Sequence, residues 1–303
     1  MSDVFIYQDE STLENEIAKL ELQLAEAKAK LNTKRRAADT DASSHQTPSF
    51  TPSPTPPIPD SPHHYLLLLS DSALPLGSFA FSSGLESYLA HARSPSSSAT
   101  LLYKPSFTSF LPLSLSSYAS TSLPFVLAAH REPARTAALD DALDASIICA
   151  VGRRASVAQG RALLSIWEKS LAPGANAGGG ALEAYSAALR PKQAHGELPP
   201  PVSAHLAPLF GAVAQLLGLS LRQTAYVFLL SHAKALVSAA LRAGMFGPYQ
   251  AQKILAGSGL QALIADLVER EWDVPVEEAG QSVPVMDLWI GRHEMLYSRI
   301  FNS

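Results

Sequence analysis

From residue 63 onward the chain places its apolar residues three and four apart in almost every segment, and no stretch alternates them convincingly with the period of two that a half-buried strand needs. That pattern excludes a sheet-based core and predicts an all-α body of helices packed on helices. The spacing predicts helices over Tyr65–Ser70, Ser82–His91, Phe107–Ala129, Pro133–Cys149, Arg154–Lys169, Leu182–Leu189, Val202–Leu217, Ser220–Arg242, Tyr249–Ala256 and Gly259–Glu269. Abundant Ala, Ser and Gly would let these helices approach closely.

Local chemistry marks the joints. Gly218-Leu219-Ser220 ends one helix and caps the next, and Pro133 suits a first helical turn. Flexible loops are expected near 93–105 and 172–201, the latter from Pro/Gly/Ala/Asn at 172–180 and Pro199-Pro200-Pro201. Ahead of the compact, all-helical domain at 63–303 lie two different segments. Residues 1–36 begin with the capping-box pattern Ser11-Thr12-Leu13-Glu14 and carry Leu13, Ile17, Leu20, Leu24, Ala27 and Leu31 at heptad spacing, a short amphipathic helix of coiled-coil type. Residues 37–62 are Pro, Ser, Thr and Asp, a disordered linker without the apolar content to offset ordering entropy.

Charge and composition exclude several function classes. The net charge is −4, and no basic run exceeds Lys34-Arg35-Arg36 or Arg153-Arg154, so no nucleic-acid partner is expected. Cys149 is the single cysteine, set among Ile147, Ile148, Ala150 and Val151, and reads as a buried, inert thiol. The first residues lack the basic-then-apolar order of a secretory signal. The longest uncharged apolar run, Leu206 to Leu221, is short for a membrane span and holds Pro208, Gly211 and Gly218. A soluble, cytoplasmic protein with no membrane partner is the expectation.

Enzymatic signatures are missing. There is no phosphate-cradling G-x-x-x-x-G-K-[ST] and no G-x-S-x-G elbow. The histidines are scattered, none paired at i, i+4 as a zinc helix requires, so neither a catalytic residue nor a metal ligand is assigned. Asp140-Asp141 and Glu277-Glu278 read as solvated faces.

Four stretches are more particular. In Leu68 to Glu86, Pro75 and Gly77 force a turn that presents Phe79 and Phe81 before the next helix. In Gly152 to Leu164, Arg154, Ala158 and Arg161 share one helix face, and Gly160 costs about 1 kcal/mol against Ala unless close packing requires it. Between Arg242 and Gln252 one helix ends and the next begins after Gly247-Pro248. Finally, Pro284–Phe301 concentrates aromatics, arginines, a histidine and a carboxylate where chain ends usually fray.

In this order the four stretches resemble the urease accessory protein UreF family, over Tyr65 to the C-terminus, about four fifths of the chain. Phe79 with Gly84-Leu85-Glu86, Arg154-Ala155-Ser156 with Gln159-Gly160-Arg161, and Asp287, Arg292-His293-Glu294, Tyr297-Ser298-Arg299 and Phe301 carry the resemblance. The turn at Gly247–Gln252 departs from the family's Gly-Gln-Thr-Asp-Gly-Gln, keeping Gly247 and Gln252 alone. The resemblance implies a non-enzymatic, all-helical scaffold for urease maturation. It would dimerise, bind a UreD-like (UreH-like) accessory protein and recruit a UreG-like GTPase for nickel insertion into apo-urease. Nickel and GTP would be handled by the assembly, with no cofactor bound by this chain. Partner-binding residues expected on this basis are Phe79, Phe81, Glu86, Arg154, Arg161, Arg242, Gln252, Arg292, His293, Glu294, Tyr297, Arg299 and Phe301. The tail, 284–303, has the composition of an interface hot spot and would order on its partner, and deleting it would leave a folded body. Two alternatives stand beside this reading: a helical small-molecule enzyme using His293 and Glu294 as acid and base, and an adaptor acting through the N-terminal coiled-coil helix.

Overall fold

The computed structural model describes residues 62–92, 105–175, 180–189 and 202–302, with positions 19, 20, 23, 24, 26, 28 and 30. The chain divides into units Met1–Thr55 and Pro56–Ser303. In the first unit the described positions are helical and exposed, Leu20 and Leu24 among them. The capping box, most of the heptad residues, the linker up to residue 61 and the loop expected at 93–105 (all but residue 105) lie outside the described residues.

In the second unit the described residues form helices and turns without a strand. The helices run α1 (Pro62–Ser70), α2 (Leu85–Ala92), α3 (Phe107–Arg131), α4 (Thr136–Ser146) and α5 (Ala150–Ile166), which continues through a π-helical turn, Trp167–Leu171, into α6 (Ala172–Ala175). Then follow α7 (Gly180–Leu189), α8 (Leu206–Leu216), α9 (Leu221–Arg242), α10 (Pro248–Ala256), α11 (Ser258–Glu271) and α12 (Val285–Arg292). The segment 172–201 is therefore not one open loop: α6 and α7 occupy its described part, and Leu182 and Tyr185 anchor it in the core.

Helix α3 is the axis, packed against α8, α9 and α11, while α5 covers the other side of α8 and α12 bridges α2 and α5. Phe110, Leu115, Leu123, Phe125 and Leu127 of α3 and Leu209 and Phe210 of α8 are fully enclosed. Two glycines make the close approaches possible. A β-carbon on Gly211 would strike the Val126 carbonyl of α3, and one on Gly160 would strike the backbone at Ala204 and His205. Gly160 inside a helix is thus explained by contact, as its cost in the sequence suggested. By length and composition α9 could cross a membrane, yet it packs on α3, α8, α10 and α11 and contributes much of the core. Its start is the predicted one: Ser220 and Gln223 form a capping box after Gly218 at φ 77°.

Several boundaries differ from the sequence expectation, and three of them have a clear local reason. Helix α2 begins at Leu85, because Ser83 and Gly84 adopt positive φ values of 50° and 84°. The stretch predicted as one helix to Cys149 ends at Ser146, and Ile147 and Cys149 are extended before α5. Helix α8 begins at Leu206, not Val202, because residues 203–205 are held out of helical conformation by Asp140.

That carboxylate is not on a solvated face. Asp140 is completely buried on the inner face of α4 with Thr136, Leu139 and Leu143, while Asp141 alone is exposed. Its Oδ2 accepts the N–H groups of Ser203 (2.6 Å) and Ala204 (3.2 Å), and its Oδ1 that of His205 (2.6 Å). The grip holds Ala204 at φ 71°, where a side chain is disfavoured. Alongside, buried His205 lies 2.7 Å from Asp144 Oδ1 through Nε2 and 3.0 Å from Ser156 Oγ through Nδ1. Asp144 also accepts both Nε and Nη2 of Arg153, which, with burial opposing and His205 assisting, lowers its carboxyl to about 2.

Candidate functional site

The loop after α1 is shaped by its own residues. Asp71 Oδ1 accepts the Ala73 N–H at 2.9 Å, and Gly77 at φ 72° opens a 3₁₀ turn over Ser78–Ala80. Ser78 Oγ donates to Gln159 Oε1 (2.7 Å), tying this turn to α5. Phe79 is left exposed and Phe81 half-buried. At Gly84 a β-carbon would come within 3.1 Å of the Trp289 and Ile290 backbone region, so the loop lies flush against α12. This contact places Glu86, in the first turn of α2, opposite the tail.

The tail is folded onto the body. Trp289 of α12 packs on Tyr88 and Phe110, with ring centroids 4.9 and 5.7 Å apart. After α12 a 3₁₀ turn, His293–Met295, buries His293. Glu86 Oε2 faces His293 Nε2 at 3.0 Å and accepts the Phe301 N–H at 3.2 Å, while Oε1 accepts the Ile300 N–H at 2.7 Å. Beyond them Asn302 N–H donates to the Ala80 carbonyl at 2.7 Å. The Arg242 guanidinium lies 4.4 Å over the Phe301 ring and donates to the Phe79 carbonyl. Arg154 pairs with Glu294 and lowers its carboxyl pKa.

Of the residues expected to meet a partner, the structure thus brings Phe79, Glu86, Arg154, Arg242, His293, Glu294 and Phe301 into one cluster. Several of these side chains face inward, which corrects the expectation of a tail held free. His293 is 0% exposed, Phe301 4%, and the Glu86 side chain 12%. The Glu86 carboxylate, the Phe301 ring and His293 Nε2 are already engaged by the body, while His293 Nδ1 is buried without a hydrogen-bond partner among the described residues. Arg292, Tyr297 and Arg299 are exposed in the same region, and Arg292 helps burial lower the pKa of His91. Arg161 and Gln252 are exposed on α5 and α10, and among the described residues no hydrogen bond or ion pair joins either to the tail. Phe81 lines a cavity instead.

The outward surface of the tail includes apolar residues that sequence reasoning passed over: Met295 and Ile300, with Leu288 on α12. Ile148, on the turn before α5, is also exposed. A non-periodic segment gives no rule for which of its apolar residues face in, so the sequence supplied no signal to separate Ile300 from Phe301.

The cavity, of about 370 Å³, lies between the 76–83 loop, α3, the 146–149 turn, α9 and α12. His232 stacks on Tyr118 with centroids 4.0 Å apart and lies 3.1 Å from Ser114 Oγ; burial lowers its pKa to about 3 and raises that of Tyr118. Cys149 is half-buried on the cavity wall, not fully enclosed. Neither His293 nor Glu294 lines it. One faces Glu86 and the other Arg154, so the acid–base pair of the enzyme alternative is not assembled. Among the described residues no three His, Cys, Asp or Glu side chains group to hold a metal ion.

Comparison with known proteins places residues 104–259 within the model of the UreF family. A Schizosaccharomyces pombe protein, named as an uncharacterized urease accessory protein UreF-like, is 39% identical over 242 residues, 79% of this chain and 97% of that protein. Urease accessory protein F of Oryza sativa subsp. indica is 33% identical over 241 residues, 77% of this chain and 82% of its own. Urease accessory protein UreF of Paenarthrobacter aurescens is 30% identical over 237 residues, 78% and 95% of the two chains.

Proposed function

We propose that this chain, which belongs to the UreF family, is a scaffold that holds the urease-maturation machinery together. A part in urease maturation follows from the family, whose members are named as urease accessory proteins. The finer reading is that it binds a UreD-like (UreH-like) protein, recruits and regulates a UreG-like GTPase, and works as a homodimer in the cytoplasm. Nickel and GTP are then handled by the assembled complex on its way to apo-urease.

The observation that carries this reading is the surface of the tail. Interfaces favour exposed aromatic, Met and Arg side chains on ordered backbone. Here Tyr297, Met295, Ile300, Arg292 and Arg299 project from a segment whose neighbours His293 and Phe301 are fixed in the core. Phe79 and the Arg154–Glu294 pair adjoin it.

The test is co-purification with the UreD-like and UreG-like proteins of the same cell. Deletion of Asp287–Ser303 is a poor probe, because it strips Trp289, His293 and Phe301 from the body and would unfold the α2–α12 region. Met295→Ala with Tyr297→Ala removes surface alone. We expect that double variant to fold normally and lose the UreD-like partner. Full retention of both partners would refute the tail as the docking surface.

A further inference from the structure

The cavity between the 76–83 loop, α3, the 146–149 turn, α9 and α12 is walled by rings and hydroxyls. Tyr118 of α3 is stacked between two residues of α9: Phe228, with centroids 4.9 Å apart, and His232, 4.0 Å apart. Phe81 and Phe210 add two more rings to the lining. Some of the hydroxyls are engaged by the protein. Ser78 donates to Gln159, Thr121 to the Ser117 carbonyl, and Ser156 meets His205. Four others that line the cavity, on Ser83, Ser117, Tyr118 and Ser231, have no hydrogen-bond partner among the described residues. Ser117 is only 6% exposed. Burial of a hydroxyl without a partner costs free energy that a ligand acceptor would recover.

Charge narrows the class of ligand. No Lys or Arg lines the cavity, so an anion would find no counter-charge there. The carboxylate on the wall, Asp287, already accepts a hydrogen bond from Gln281 Nε2 at 3.0 Å. Burial keeps His232 neutral, with its pKa lowered to about 3, and raises that of Tyr118, whose hydroxyl stays a donor. Cys149, His232 and Asp287 lie on three different walls, and among the described residues no three metal-binding side chains group together.

We propose that this cavity is a binding site for a small uncharged molecule with a ring-sized apolar body and a carbonyl-type acceptor. The rings take the body, and the Ser117, Tyr118 and Ser231 hydroxyls donate to the acceptor. A volume of about 370 Å³ suits such a ligand. The stack fixes the Tyr118 ring in advance, so binding needs little further ordering. The site needs no partner protein and stands apart from the reading of the tail as a docking surface.

The probe is prodan, an uncharged naphthyl ketone whose emission shifts to the blue in an apolar site. Its anionic counterpart is 8-anilinonaphthalene-1-sulfonate. Both are titrated into the full chain. Binding is located through Cys149, the single cysteine, which is half-buried on the cavity wall. Its alkylation by N-ethylmaleimide is followed by mass spectrometry with and without each dye.

We expect one blue-shifted prodan per chain. With free prodan at about ten times its Kd, alkylation of Cys149 should slow about tenfold, as mass action depletes the free site. The anionic dye should give no such protection. Tyr118→Phe removes one hydroxyl and keeps the ring, and should weaken prodan binding about three- to tenfold. Ala235→Phe fills the cavity from α9 and should abolish the protection, with the melting temperature checked to show that it folds. Absence of prodan binding would overturn the proposal, as would binding that leaves Cys149 unprotected. Equal protection by the anionic dye, or unchanged affinity in Tyr118→Phe, would overturn the assigned ligand class.

Discussion

Asp140 and Glu86 each grip a distant stretch of backbone by its N–H groups, but one grip is sealed inside the protein and the other is at its edge. Asp140 holds three consecutive amides, 203 to 205, with no exposed surface of its own. Glu86 holds two amides and an imidazole drawn from both ends of a loop, with its side chain 12% exposed. The same chemistry serves two purposes. Where the gripped residues are consecutive, the result is a fixed helix start and a core that cannot shift. Where they flank a loop, the result is a shaped surface.

The contrast can be broken by measurement. Asp140→Ala leaves three buried donors without an acceptor and should destabilise the fold by about 3 kcal/mol or more, read by urea denaturation. Gly160→Ala presses on the same 204–205 backbone from the α5 side and should cost about 1–3 kcal/mol. If either is neutral, the 203–205 segment is not a rigid element. Glu86→Ala should cost less, about 1–2 kcal/mol, because water can reach the released groups. A Glu86 variant less stable than the Asp140 variant would reverse the comparison.

The next effect depends on pH. Asp144, lowered to about 2 by Arg153, contributes stability that is present above its ordinary value of 3.8. That contribution is lost as pH falls from about 4 toward 2. Urea midpoints at pH 5, 4 and 3 should decline through this window, and Asp144→Asn should flatten the decline. Smallest of all, Tyr297→Ala should change stability by no more than about 0.5 kcal/mol while weakening retention of the UreD-like partner.

The helical body was legible because its apolar spacing is a property of each segment alone. So was the start of α9, where Gly218 and Ser220 carry the turn and the cap themselves. What escaped was decided between segments. The extended break at 147–149 lies within the apolar run Ile147–Val151, with no Gly or Pro in it to announce the break. Asp140 looked like one of two solvated neighbours, although its spacing with Thr136, Leu139 and Leu143 places it on the buried stripe of α4 and would have found it. Its partners are 63 to 65 residues away. The tail was correctly singled out as too rich in aromatics and charge to fray, but its composition could not say that His293 and Phe301 turn inward while Tyr297 turns out.

The Glu86 clasp joins residues 207 to 215 positions apart. Contacts that distant are late to form, because the intervening chain must be ordered before they can meet. The expected order is that the α3–α8–α9 core assembles first and the tail closes onto it. By the same logic the clasp is among the first places to reopen, at a free energy well below that of global unfolding. The proposed docking surface would then be a region whose opening and closing leave the rest of the molecule undisturbed.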